Sequence, residues 1–197
     1  MDKTTKTILV IVGSLLVICA CAVAAIFGTG LWSLAKYNQW SDTNTTRDLY
    51  EVAELSQEIA IFTLPDGYGS PYGMHIGEIT SVGFASPSRN THLLLTQFPE
   101  GTSINTEELL KQISKYSMDP DTNWNNAHMK VIEEKPVTIR GQQSTLSISE
   151  GTSSDGTNYR SAVTTFNSNK GVTLLLIAGP LEEWDSKMVE DFIASIQ

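Results

Sequence analysis

The feature that most constrains this chain is its apolar N-terminal region. Residues 7–35 contain no charged side chain, and residues 8–27 are almost entirely apolar. About 20 such residues in a helix rise about 30 Å, the thickness of the hydrocarbon core of a bilayer. A helix also satisfies its own backbone hydrogen bonds where water is absent. The sequence therefore predicts a transmembrane helix within residues 7–35.

The flanking charges predict the orientation of this helix. Lys3 and Lys6 precede it, whereas only Lys36 follows closely. Because basic residues concentrate on the cytoplasmic side, residues 1–6 are expected in the cytoplasm and the C-terminal domain outside a cell membrane crossed once. Aromatic residues typical of a membrane interface follow the apolar run: Trp32, Tyr37 and Trp40.

Two other interpretations of the N-terminal region stay open. A signal peptide would be cleaved after the small residues at positions 22–24, and a lipoprotein would be modified at Cys21. The apolar run continues to Phe27, where a mature chain should become polar. All three interpretations place the rest of the chain on the far side of the membrane.

Small residues recur every four positions in the predicted membrane helix, at Ala20, Ala24 and Gly28. Such a stripe allows two helices to pack closely. We therefore predict it as a helix-packing surface, with a homodimer as one outcome.

The charge balance excludes a class of partners. The chain has 22 acidic and 13 basic side chains, a formal net charge of −9, and residues 41–197, with 21 acids and 10 bases, carry −11. Binding to nucleic acid requires a basic surface. We expect no nucleic-acid partner and no salt-dependent binding of residues 41–197 to anionic vesicles.

Residues 36–58 are predicted to form a juxtamembrane linker and a short helix. Residues 41–46 are polar and turn-prone. Apolar residues from Leu49 to Ile59 then recur at the three-four spacing of an amphipathic helix. The extracytoplasmic domain is predicted to span residues 59–197.

Hydrophobic periodicity and turn residues predict an α+β domain in the order βββ-α-ββββ-α, with about seven strands in an antiparallel sheet packed with helices. Leu93, Leu94 and Leu95 indicate a central strand covered on both faces. Asp155-Gly156 predicts a hairpin. The predicted strands are residues 59–64, 74–85, 91–98, 129–139, 144–149, 159–166 and 172–178; the predicted helices begin at Asn105 and near Leu181.

This order resembles the PsbP-like fold. The resemblance rests on the sequence Ile-Ala-Ile-Phe-Thr-Leu-Pro-Asp-Gly-Tyr at residues 59–68 and on a closing helix that ends Phe-Ile-Ala-Ser-Ile at residues 192–196. It covers roughly residues 59–197. The PsbP-like group consists largely of accessory and binding domains without a shared catalytic motif, so the resemblance implies a domain of that kind.

The sequence contains no recognisable catalytic or metal-binding motif. His75, His92 and His128 each stand without a second ligand at metal-binding spacing. No G-x-S-x-G motif occurs, and the carboxylates fall mostly in adjacent pairs that face different ways. We predict no catalytic residues, no cofactor-binding residues and no metal ligands. Whether the protein is an enzyme stays open, and the sequence favours a protein that is not one.

Aromatic residues in two predicted loops are candidates for partner binding. Tyr68 and Tyr72 lie in the glycine-rich residues 66–73, and Trp124 lies in the polar loop 119–126. Tyrosine and tryptophan are enriched at interface centres. The alternative is that Tyr68 packs under the first strand.

The sequence favours a single-pass, membrane-anchored, extracytoplasmic binding or accessory domain without catalysis of its own. Its partner would be a protein or a small apolar ligand outside the membrane. Two alternatives are an envelope hydrolase whose site is assembled from scattered residues, and a carrier of lipid or another small apolar ligand.

Overall fold

A computed structural model of the chain describes residues 44–102, 129–153 and 155–197. The chain divides into two compact units, Met1–Thr46 and Arg47–Gln197. In the first unit, the description is limited to residues 44–46, which include the two-residue strand β1 (Thr45–Thr46). The remaining described elements belong to the second unit.

The second unit contains a sheet and two α-helices in its described part. The elements are α1 (Leu49–Ile59), β2 (Gly69–Ile76), β3 (Ile79–Ser86), β4 (Thr91–Pro99), β5 (Lys130–Ile139), β6 (Gln142–Thr152), β7 (Asn158–Ser168), β8 (Gly171–Pro180), a 3₁₀ turn (Leu181–Glu183) and α2 (Ser186–Ser195). Every neighbouring pair of strands in this unit is antiparallel, in the order β2-β3-β4-β8-β7-β6-β5.

The predicted fold class is wrong. The described residues are mostly β, with eight strands in all and only two α-helices, instead of an α+β domain with about seven strands. The helix predicted from Asn105 and the transmembrane helix predicted within residues 7–35 lie outside the described residues. Within the described ranges, no helix is both long and apolar enough to cross a membrane.

The N-terminal strands differ most from the prediction. The predicted strand 74–85 is two strands, because Gly77 adopts a positive φ of +61° and forms a tight turn between β2 and β3. Residues 69–73, predicted as loop, belong to β2. The β2–β3 register shifts between Gly69 and Tyr72, and this irregularity contains Pro71, which has no amide hydrogen to donate.

The predicted first strand, residues 59–64, lies outside the sheet. Ile59 ends α1, and residues 60–65, here called the connecting segment, form neither strand nor helix. Ile61 instead exchanges two backbone hydrogen bonds with Gln197, from the Ile61 amide (3.2 Å) and from the Gln197 amide (2.8 Å). The connecting segment has the composition of a strand, but its backbone pairs with Gln197, just after the end of α2, and not with the sheet.

The hairpins of the second half confirm the four consecutive strands predicted after residue 128. Strands β5 to β8 follow one another, and Arg140-Gly141 forms the β5–β6 turn with positive φ at both residues. The turn before β8 is where predicted.

Apolar residues occupy both faces of the central strands. On one face, Val82, Leu95 and Ile177 join a cluster with residues of α1 and α2. On the other face, Leu94 packs against the cluster of Val163, Leu174, Leu176 and Ala178. The prediction that residues 93–95 lie in a central strand is confirmed, since β4 lies between β3 and β8. Leu93 and Leu95 are buried on the helix-covered face, whereas Leu94 is half-buried on the other face.

Each α-helix begins at an aspartate cap. The Asp48 carboxylate accepts hydrogen bonds from the amides of Tyr50 and Glu51. The Asp185 carboxylate accepts one from the Met188 amide (3.0 Å), so α2 begins later than the predicted Leu181. Both caps satisfy backbone donors that lack partners at a helix start.

Candidate functional site

A groove of about 490 Å³ lies between the connecting segment and α2. We call it the α2 groove. Its apolar lining consists of Leu64, Pro65, Met188 and Phe192, and its polar lining of Thr63, Asp66, Arg89, Asp185, Lys187, Asp191 and Ser195. Arg89 comes from the turn that joins β3 to β4. Three separate parts of the chain therefore form one concave surface.

Side-chain packing and hydrogen bonds fix the wall formed by the connecting segment. The Phe62 ring makes edge contacts with Phe192 (5.5 Å between centroids) and Phe84 (6.1 Å). The Thr63 amide donates to the Ser195 hydroxyl (3.1 Å). These contacts hold the connecting segment against α2 without a strand ladder.

An ion pair joins the other two parts of the groove. The Arg89 guanidinium lies 3.2 Å from the Asp185 carboxylate. The hydrogen bond from the Met188 amide, together with the nearby Arg89 charge, lowers the pKa of Asp185. Asp185 therefore caps α2 and fixes the β3–β4 turn with a single carboxylate.

A second ion pair lies along α2. Lys187 Nζ is 2.6 Å from Asp191 Oδ2, at the i,i+4 spacing of helix neighbours. The hydrogen bond and charge of Asp191 raise the pKa of Lys187. Both side chains are well exposed, so this pair contributes little to stability but sets the charge of the rim.

Asp66 is the remaining carboxylate of the groove. It is exposed, and it makes no ion pair or hydrogen bond with the described residues. The charged groups of the lining are thus three carboxylates and two cations, with each cation already paired. The groove carries a net negative charge that centres on Asp66.

Tyr68 lies near the groove but mainly serves the core. Its ring packs against the main apolar cluster, and its amide donates to the Pro65 carbonyl (3.2 Å). Burial raises the pKa of the Tyr68 hydroxyl to about 12, partly opposed by the Arg89 charge and the Thr91 hydroxyl. The alternative prediction places Tyr68 under a first strand at residues 59–64, but those residues form no strand, and the Tyr68 ring packs against the main apolar cluster instead.

The structure does not bring Tyr68 and Tyr72 together. Tyr72 pairs with Gly83 in β2–β3, and Gly83 pairs with Leu94, so Tyr72 lies on the face opposite the helices. The third aromatic candidate, Trp124, lies outside the described residues, as does the small-residue stripe of Ala20, Ala24 and Gly28.

A smaller cavity of about 100 Å³ lies between β5, β6 and α2. The Arg160 guanidinium lies 6.0 Å from the centre of the Trp184 ring and pairs with Glu150. Its apolar lining includes Ile132, Leu146, Ile148 and Val189. Sites for small organic ligands usually enclose about 300–1,000 Å³. This cavity between sheet and helix is therefore too small for a lipid chain.

Sequence reasoning missed most of the groove. Asp185 is recognisable as an acid at a helix start, but Arg89 reads only as part of a turn, and 96 positions separate the two. The apolar stripe of α2 includes Met188 and Phe192, but the spacing does not indicate that both lie at the base of a groove. Among the residues that the structure covers, no three His, Cys, Asp or Glu side chains are grouped as a metal site.

No family model and no curated protein match this chain. Among solved structures, it is similar to the solution structure of cyanobacterial PsbP (CyanoP) from Synechocystis sp. PCC 6803. The two share 16% sequence identity with a TM-score of 0.43, and the match covers 78% of this chain and 90% of that one. This weak likeness agrees with the predicted PsbP-like resemblance.

Proposed function

We propose that Arg47–Gln197 is a binding domain without catalysis of its own, and that the α2 groove holds a short segment of a protein partner. The observation that carries this proposal is the groove itself. It combines an apolar lining with fixed charges at its rim and a volume of about 490 Å³. Apolar contact supplies affinity, and the surrounding charges supply specificity.

The walls of the groove are held in place before any partner binds. The Arg89–Asp185 pair ties the β3–β4 turn to α2, and the Thr63–Ser195 hydrogen bond ties the connecting segment to α2. A preorganised site loses less conformational entropy on binding than a flexible one. The arrangement therefore suits recognition of a partner by a rigid surface.

We further propose that residues 7–35 anchor this domain at the outer face of a cell membrane. Their lack of charge and the lysines at positions 3 and 6 support this proposal. Full-length protein in its own membranes should resist extraction by alkaline carbonate, and externally added protease should digest the domain. Release by carbonate, or protection from that protease, would contradict this location.

The binding proposal is tested by blocking the groove. Thr63 is exposed and lines the groove, so Thr63→Trp fills it without removing a buried side chain. Thr145 is an equally simple control, an exposed threonine on β6 that lies outside the groove. Full-length protein should crosslink a partner in its own membranes, Thr63→Trp should lose that product, and Thr145→Trp should keep it.

Equal crosslinking by both variants would place the partner surface elsewhere. The same purified protein distinguishes the alternatives. A lipid or small apolar molecule found by mass spectrometry in stoichiometric amount would favour a carrier, and turnover of an envelope substrate would favour a hydrolase.

A further inference from the structure

The charge of the α2 groove indicates the chemistry of the segment it binds. We infer that this segment carries a lysine or arginine that pairs with Asp66, next to an apolar side chain that packs against Leu64 and Pro65. This inference rests on the proposed function, because it names the partner chemistry of the same groove.

Both cations of the groove lining are already paired, so neither is available to Asp66. A ligand that covers Asp66 must therefore supply the opposite charge itself. Arg89 is paired with Asp185, and Lys187 with Asp191. A partner that covers Asp66 removes water from its carboxylate, which is costly unless a cation replaces that water. An acidic partner would instead add like-charge repulsion in a groove that is already net negative.

The apolar lining indicates that the bound segment also carries an apolar side chain beside its cationic residue. Leu64 and Pro65 are half-buried on one wall, while Met188 and Phe192 are buried on the other, so Leu64 and Pro65 provide most of the apolar surface that a partner can reach. Asp66 follows Pro65 directly, so the charged and the apolar parts of the groove are side by side. The cationic and apolar side chains that contact them should therefore also be close together in the partner. The ten residues of α2 span about 15 Å, which corresponds to about four or five residues of an extended peptide.

The net charge of the whole chain also favours a basic partner. The net charge of −9 favours encounter with basic partners and disfavours acidic ones. Because long-range attraction acts on any basic peptide, the test must separate the charge at Asp66 from the charge of the molecule. Glu78 provides the control, since it is an exposed acid in the β2–β3 turn, outside the groove.

The test measures binding of two fluorescein-labelled peptides to the full-length protein in a neutral detergent. Their sequences are Gly-Ser-Leu-Lys-Arg-Leu-Ser-Gly and Gly-Ser-Leu-Glu-Glu-Leu-Ser-Gly. We expect the basic peptide to bind and the acidic peptide not to bind. Asp66→Lys should weaken binding of the basic peptide by about tenfold, whereas Glu78→Lys, with the same change in net charge, should weaken it by less than about twofold.

Equal losses in the two lysine variants, or equal binding of both peptides, would overturn the basic-segment inference. Thr63→Trp separates the two proposals. If it abolishes crosslinking of the native partner while the basic peptide fails to bind wild-type protein, the groove is the binding site but its partner is not basic. If it leaves native crosslinking intact, the proposed function itself fails.

Discussion

Ile61 and Gln197 exchange a pair of backbone hydrogen bonds, with N···O distances of 3.2 Å and 2.8 Å. They join the connecting segment to the residues that follow α2. Ile196, directly before this contact, is only 3% exposed and belongs to the main core. The contact therefore fixes the two walls of the α2 groove relative to each other and couples the groove to the core.

Removal of residues 196 and 197 should destabilise the domain strongly. The deletion eliminates both backbone hydrogen bonds and the burial of Ile196, and removal of a comparable buried side chain costs about 2–5 kcal/mol. Urea denaturation followed by circular dichroism measures the loss. Gln197→Ala keeps both backbone bonds and should stay within about 0.5 kcal/mol of wild type. A deletion no worse than Gln197→Ala would show that this contact is dispensable.

Asp185 should make stability depend on pH. Its pKa is lower in the folded protein, so its contribution is present above the unfolded-state value of about 4 and disappears as pH falls through the folded-state pKa. Asp185→Asn keeps an oxygen that can accept the Met188 amide hydrogen bond, whereas Asp185→Ala loses it.

Thermal melts of the three proteins check this prediction. At pH 7 we expect the order wild type, Asp185→Asn, Asp185→Ala, with Asp185→Ala about 2–4 °C below wild type. The advantage of wild type over Asp185→Asn should shrink on acidification. An advantage that is constant from pH 7 to pH 2 would contradict a lowered pKa.

The Tyr68 hydroxyl should lose its proton only at an unusually high pH. Its pKa is raised from 10.0 to about 12, mainly by burial. The difference in tyrosinate absorbance between wild type and Tyr68→Phe should therefore stay near zero until the pH approaches 12. Because the folded-state pKa is the higher one, wild-type stability relative to Tyr68→Phe should fall as pH rises from 10 towards 12. An absorbance difference already complete at pH 10.5 would show an exposed hydroxyl.

The parts of the fold that were predictable have strong local signals. The Arg140-Gly141 turn and the alternation of Leu146 and Ile148 define the β5–β6 hairpin within a few residues. In β4, Leu93 and Leu95 face one apolar cluster while Leu94 faces the other. A run of three leucines is therefore a reliable sign of a central strand in this chain.

The misplaced elements depend on contacts between distant residues. Residues 59–64 have the composition of a strand, but Ile61 pairs with Gln197, which a local pattern does not indicate. Residues 69–73 look like a turn because of Pro71, yet the register shift between Gly69 and Tyr72 accommodates this proline within β2. The groove was missed for the same reason, since the Arg89–Asp185 pair forms only when the fold brings the two together.

Gly171 is predicted to be the glycine least tolerant of substitution at a turn. It begins β8 with φ +150°, and a Cβ there would clash with the Phe98 carbonyl oxygen. Gly171→Ala therefore combines backbone strain with a steric clash against β4, and we expect a loss of about 3 kcal/mol or more. Gly77 is the matched control, since it has φ +61° but open space around its Cβ position.

The Gly77→Ala variant should lose only the cost of the left-handed conformation, about 1–2 kcal/mol. Urea denaturation of wild type and both variants gives the comparison. Two equal losses would mean that the β4–β8 contact relaxes to accept a methyl group, and that positive φ alone decides the effect. A loss at Gly171 that clearly exceeds the loss at Gly77 would identify the close approach of β8 to the Phe98 carbonyl as the reason that only glycine fits there.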